Sequence, residues 1–89
     1  MSNRFVIDDY VPPHKVVIFT TPQCAPCQAI KHVLDKAGIA YTLINRDEGD
    51  NALELQRISG GITVPVTVID DYHIIRGGNI PAIKRVLGI

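Results

Sequence analysis

Charge in excess of either sign is missing from this sequence: nine Lys and Arg stand against nine Asp and Glu, for a formal net charge of +0. Nucleic acids and anionic membranes are usually met by clustered basic side chains, so neither is expected as a partner. Long apolar runs are missing too. No stretch approaches the ~18 residues needed to span a bilayer, and the N-terminus lacks the basic-then-apolar layout of a secretory signal. The sequence therefore reads as cytoplasmic and free of the membrane. Cysteine is scarce, with two in 89 residues. Histidine is scattered at His14, His32 and His73, which leaves a four-ligand tetrahedral metal site incomplete, and no metal ligands are assigned.

What is present describes one α/β domain. With 46% hydrophobic and 20% charged residues the composition is that of a globular protein. A chain of this length buries roughly 60–65% of its unfolded surface and has room for one core, which makes a monomer the default. Residues 1–14 read as an N-terminal arm, in which Arg4-Phe5-Val6-Ile7 forms at most a short edge strand before Asp8-Asp9 and Pro12-Pro13. Residues 15–89 carry the domain. Val16-Val17-Ile18-Phe19 lacks polar alternation, as a strand buried on both faces does. From Ala25 to Ala37 the apolar positions Ala29, Ile30, Val33, Leu34 and Ala37 predict a helix with one buried stripe, ended by Gly38.

A second strand is expected at Tyr41-Thr42-Leu43-Ile44, and the strand–helix–strand order implies a right-handed parallel crossover. A polar loop with Asp47, Glu48 and Asp50 leads to a helix capped by Asp50 or Asn51. That helix runs to about Ser59, with Leu53, Leu55 and Ile58 apolar. Gly60-Gly61 breaks the chain. Val66-Thr67-Val68-Ile69 and Tyr72-His73-Ile74-Ile75 make an antiparallel hairpin across Asp70-Asp71. Gly77-Gly78 precedes a last helix from Asn79 to about Leu87. The order is βαβαββα, with a mixed four-stranded sheet flanked by helices.

Between the first strand and first helix lies Thr20-Thr21-Pro22-Gln23-Cys24-Ala25-Pro26-Cys27. A cysteine at a helix cap faces unpaired N–H groups and the positive end of the helix dipole, and both favour thiolate over thiol. Cys27 falls on nearly the same face one turn on, so a disulfide can close. Pro26 fits the first turn, where its missing N–H leaves no gap. Two thiols so placed support reversible dithiol chemistry, in which one attacks a disulfide and the other resolves the mixed disulfide. A binding module holding a metal or an iron–sulfur cluster through Cys24 is the alternative.

Residues 15–27, then Thr63-Val64-Pro65, then Gly77-Gly78, closely resemble the glutaredoxin family, including its NrdH-redoxin branch, with the thioredoxin fold. The resemblance implies a thiol–disulfide oxidoreductase in which Cys24 attacks and Cys27 resolves. It implies a cis Pro65 facing the cysteines, with Val64 backbone groups offering strand-like hydrogen bonds to a substrate. It points to Thr63, Val64, Pro65, Gly77 and Gly78 as substrate-binding residues, to no cofactor beyond the redox-active pair, and to a disulfide-containing protein substrate such as ribonucleotide reductase. Glutathione or a thioredoxin reductase would supply electrons. Thr21, Gln23, Asn79, Ile80 and Pro81 depart from the charged or aromatic residues of glutathione-using relatives, and Pro26 matches thioredoxins instead, so the second reductant is expected.

Overall fold

The central element is β1, Val16–Thr20, where three of five side chains are buried. The computed structural model describes residues 14–89. The arm expected for residues 1–14, with its possible strand at Arg4-Phe5-Val6-Ile7, lies outside them except for His14. After β1 come α1 (Ala25–Lys36), β2 (Thr42–Asn45), α2 (Asn51–Ser59), β3 (Val66–Ile69), β4 (His73–Arg76) and α3 (Ile80–Leu87). The expected βαβαββα order holds. The strands lie in the order β2-β1-β3-β4. β1 runs parallel to β2 and antiparallel to β3, which pairs with β4 as the hairpin.

Alternation along the strands sorts the core onto two faces. Val16, Ile18, Ile69 and Ile75 pack with Ile30 and Leu34 of α1 and Ile83 and Leu87 of α3. Phe19, Val66 and Val68 face the other way and pack with Leu55 of α2. A two-sided sheet needs β1 and β3 apolar on both faces, and apart from Thr67 in β3 and Thr20 at the end of β1 their sequences are.

Several details differ from the sequence reading. Ala29 in α1 and Ala37 at its C-cap are exposed, and the buried positions of the helix are Cys27, Ile30 and Leu34. The helix is rotated so that its larger apolar side chains, spaced three and four apart, meet the sheet. β2 starts one residue later and reaches Asn45, since it stays in register with β1 until Thr20 pairs with Asn45. Tyr41, just outside, donates its hydroxyl to Asp35 at 2.9 Å. Leu53 is 70% exposed, one position off the face that buries Leu55. Asp50 occupies the N-cap of α2 without a side-chain hydrogen bond. Asn51 instead donates from Nδ2 to the Asn45 carbonyl at 2.8 Å, tying the helix start to the end of β2. β4 begins at His73 and extends to Arg76, with Tyr72 in the turn.

That turn carries two non-glycine residues at positive φ, Asp70 at 57° and Asp71 at 58°. Aspartate tolerates this region better than most residues, and here both carboxylates are held from outside the turn. Asp70 accepts from the Lys15 backbone N–H at 2.9 Å and lies 2.8 Å from His14 Nδ1. Asp71 accepts from Lys15 Nζ at 3.1 Å. The Lys15 N–H, and after it the His14 ring, hold the Asp70 carboxyl below its usual range. Folding lowers this pKa, so the stabilisation is fully present above the unfolded value near 3.8 and fades as pH falls through the folded value. Asp70→Asn should therefore be less stable than the parent in urea unfolding at pH 7 and at pH 5, and the gap should narrow at pH 3. A gap of equal size at all three would assign the effect to the turn backbone instead.

Candidate active site

Cys24 is the N-cap of α1, with φ −139° and ψ 98°, and its sulfur accepts from the Cys27 N–H at 3.3 Å. This is the placement that the end of an apolar strand followed by Ala-Pro predicts. Extended backbone up to Cys24 turns into a helix whose early N–H groups have no internal acceptor. Pro26 is the second helical residue, and the Cys24 carbonyl receives the Gln28 N–H at 3.3 Å. Cys24 and Cys27 form a disulfide with an S–S distance of 2.09 Å and Cα atoms 5.2 Å apart. In this bonded state neither sulfur titrates. Cys24 is more covered than an exposed cap would be. It is 8% accessible, against 0% for Cys27. The bond to an inward-facing residue draws its sulfur down, yet of the two it is the one solvent reaches.

The other two motifs arrive at the same end of the sheet. β1 ends there, β3 begins there, and β4, antiparallel to β3, ends there. The Val64–Pro65 peptide is cis. Pro65 is fully buried, and its carbonyl accepts the Gly77 N–H at 2.8 Å. Gly77 has φ 76°, a conformation glycine reaches without a Cβ clash. A Cβ on Gly78 would stand 3.2 Å from Cβ of Pro26, so the second glycine lies against the residue between the two cysteines. The Gly-Gly pair is thus a strand-to-helix turn and a wall of the site at once. Thr63 is exposed and Val64 half-buried. Among the described residues Val64 has no backbone hydrogen-bond partner for its N–H or its C=O.

Two arginines that sequence reasoning did not single out fix the approach to Pro65. Arg46 Nη1 donates to the Ile62 carbonyl at 3.0 Å while its Nε pairs with Asp47 at 3.0 Å. Arg76 Nε donates to the Ser59 carbonyl at 2.9 Å. Ser59 is itself buried and donates its Oγ–H to the Leu55 carbonyl at 2.9 Å. A guanidinium that holds a loop carbonyl leaves no spacing pattern to read. The one hint was Gly60-Gly61, a pliable stretch that needs an anchor.

The surroundings are short of charge. Residues 16–30, 58–69 and 77–83, which contain all three motifs, have no Asp, Glu, Lys or Arg. Among the described residues no group of three or more His, Cys, Asp or Glu side chains is gathered as metal ligands would be. No helix among them is long and apolar enough to cross a membrane.

The glutaredoxin family model matches residues 16–74, which hold both cysteines and Pro65. The Gene 56 protein of Mycobacterium phage D29 is 33% identical over 63 residues, 70% of this chain and 70% of the phage protein. The glutaredoxin-like protein NrdH of Escherichia coli K12 is 30% identical over 57 residues, 64% of this chain and 70% of that protein. Among solved structures, the Escherichia coli NrdH-redoxin superposes with a TM-score of 0.69 at 26% identity, covering 81% of this chain and 93% of its own. That structure is described as explaining a thioredoxin-like activity profile in a glutaredoxin-like protein.

Proposed function

Since the chain belongs to the glutaredoxin family and is a thiol–disulfide oxidoreductase, we propose that it reduces disulfides of proteins and is itself recharged by a thioredoxin reductase rather than by glutathione. Cys24 attacks one sulfur of the substrate disulfide as a thiolate, the other sulfur leaves with the electron pair, and a mixed disulfide remains. Cys27 then attacks Cys24, releasing the substrate as a dithiol and closing the Cys24–Cys27 bond. The electron pair is carried by the two sulfurs with no bound cofactor. An extended substrate segment pairs with the free backbone groups of Val64 and lies between Thr63 and Gly77-Gly78. A ribonucleotide reductase is one such substrate, and the cytoplasm is the compartment in which a thiol system would keep the pair reduced.

The observation that carries the choice of reductant is the uncharged rim. Glutathione brings two carboxylates and an ammonium group, and charged side chains at the rim would hold them in place. Here Thr21, Gln23, Asn79, Ile80 and Pro81 offer no charge, and both nearby guanidinium groups are already engaged, Arg46 by Asp47 and the Ile62 carbonyl and Arg76 by the Ser59 carbonyl. Pro26 adds to this, since it is shared with thioredoxins, whose potential near −270 mV lies below the roughly −200 to −230 mV of glutaredoxins. The profile described for NrdH-redoxin points the same way.

The test follows NADPH loss with a disulfide protein substrate, using either thioredoxin reductase or glutathione with glutathione reductase, at equal protein concentration. Faster turnover with thioredoxin reductase is expected. Turnover driven by glutathione alone would assign the chain to the glutathione-dependent members of its family.

A further inference from the structure

Thr67 is 0% exposed, and among the described residues its Oγ1 has no hydrogen-bond partner. A buried hydroxyl left unpaired is costly, and a valine of the same shape would avoid the cost. Its position in the sheet suggests what the hydroxyl is for. Val66 and Val68 face α2, so Thr67 points to the opposite face with Ile69, toward the layer of α1 and α3. Its cross-strand neighbours there are Ile18 and Ile75, both in that core. β3 advances about 3.3 Å per residue from Pro65, and α1 about 1.5 Å per residue from Cys24. Counted from the site end, Thr67 lies level with the stretch of α1 between Cys27 and Ile30, its first two inward residues. The orphaned hydroxyl and the fully buried sulfur therefore share one layer of the core.

The two states of the pair differ in what that sulfur can bond. In the disulfide Cys27 Sγ has no proton to give and accepts weakly. Reduction adds two electrons to the S–S bond and a proton to Cys27, which becomes a thiol able to donate and accept while Cys24 is left as the thiolate. We infer that Thr67 is a positioning residue for the reduced state: its hydroxyl, unpaired while the pair is oxidised, hydrogen-bonds the Cys27 sulfur once the bond opens and so draws the equilibrium toward the dithiol. The inference rests on Cys24 and Cys27 being the working redox pair.

The experiment equilibrates the full-length protein, T67V and T67S in buffers of reduced and oxidised dithiothreitol, quenches with acid, alkylates free thiols and reads the reduced fraction by mass. Urea unfolding of each variant in both redox states accompanies it. T67V should lower the equilibrium constant for reduction about fivefold, the worth of one net hydrogen bond, which is about 20 mV more negative for a two-electron couple. It should also gain stability as the disulfide by about that factor more than as the dithiol. T67S keeps the hydroxyl and should stay within about twofold of the parent. If T67V does not fold, Thr67→Ala compared with T67S gives the same reading, with the shift expected in the alanine variant alone. An equilibrium unchanged in T67V, or shifted equally in T67S, would overturn the inference by reducing Thr67 to packing. A parent protein that does not interconvert in these buffers would overturn the redox-pair reading and this inference with it.

Discussion

Cys24→Ser should have no measurable disulfide reductase activity, while Cys27→Ser should carry out the first step and stop, accumulating a mixed disulfide with its substrate. The asymmetry comes from one helix terminus. Cys24 stands at the cap of α1, where the unpaired N–H groups and the dipole stabilise a negative sulfur, and it is the more accessible of the two. Cys27 is fully buried, and the sulfur within its reach is that of Cys24, which it attacks once Cys24 is bonded to the substrate. Loss of activity in Cys24→Ser would not reflect a damaged fold, since serine is among the best N-cap residues. Cys27→Ser does place a hydroxyl in the core, at a cost of about 1–3 kcal/mol if unpaired. Cys27→Ala should accordingly trap the same adduct. Non-reducing electrophoresis and mass spectrometry after incubation with a disulfide protein check the outcome. Adducts formed by Cys24→Ser and absent from Cys27→Ser would reverse the two roles.

The largest effect on stability is expected from Phe19→Ala. Phe19 is buried between β1 and α2 against Leu55, Val66 and Val68, with Ile44, Ile58 and Val64 around them. Truncation of a buried Phe to Ala costs about 3–5 kcal/mol, against a total of about 5–15 kcal/mol for a domain. For a domain of this size each kcal/mol lowers Tm by about 4–8 °C, so a fall on the order of 15 °C or more should appear in thermal unfolding of the oxidised protein. The same substitution loosens the packing of Val64, next to Pro65, and activity should drop before the fold is lost. A Tm within a few degrees of the parent would mean that α2 closes over the cavity.

The sequence made the fold legible where one signal ruled. The unbroken apolar run in β1, the Pro26 that fits only a first helical turn, and the glycines after α1 and α2 each admit a single reading. Element ends were harder, because partners elsewhere decide them. β2 extends to Asn45 since Thr20 is there to pair with it, and Tyr72 belongs to the turn since Ile69 pairs with His73. The stripe on α1 was placed too broadly, because alanine is apolar enough to join a periodic pattern and too small to determine which way the helix faces. At the site, Cys24, Cys27 and Pro65 were readable from chemistry and motif. Arg46, Arg76 and Thr67 were not, since each matters through a carbonyl, or through a missing partner, that lies far off in sequence.

The absence of charged residues from the stretches that carry the cysteines and Pro65 has a kinetic side. A partner diffusing toward these uncharged stretches, on a molecule with a formal net charge of +0 and with Arg46 next to Asp47 at the site's edge, feels little net long-range pull. Association without electrostatic steering proceeds at roughly 10⁵–10⁶ M⁻¹ s⁻¹, some hundred- to thousandfold below steered pairs, and is indifferent to ionic strength. Collisions are then frequent with every disulfide protein and favoured with none. Throughput must come from abundance, and selectivity from what happens after contact, when a backbone strand either fits beside Val64 or drifts away.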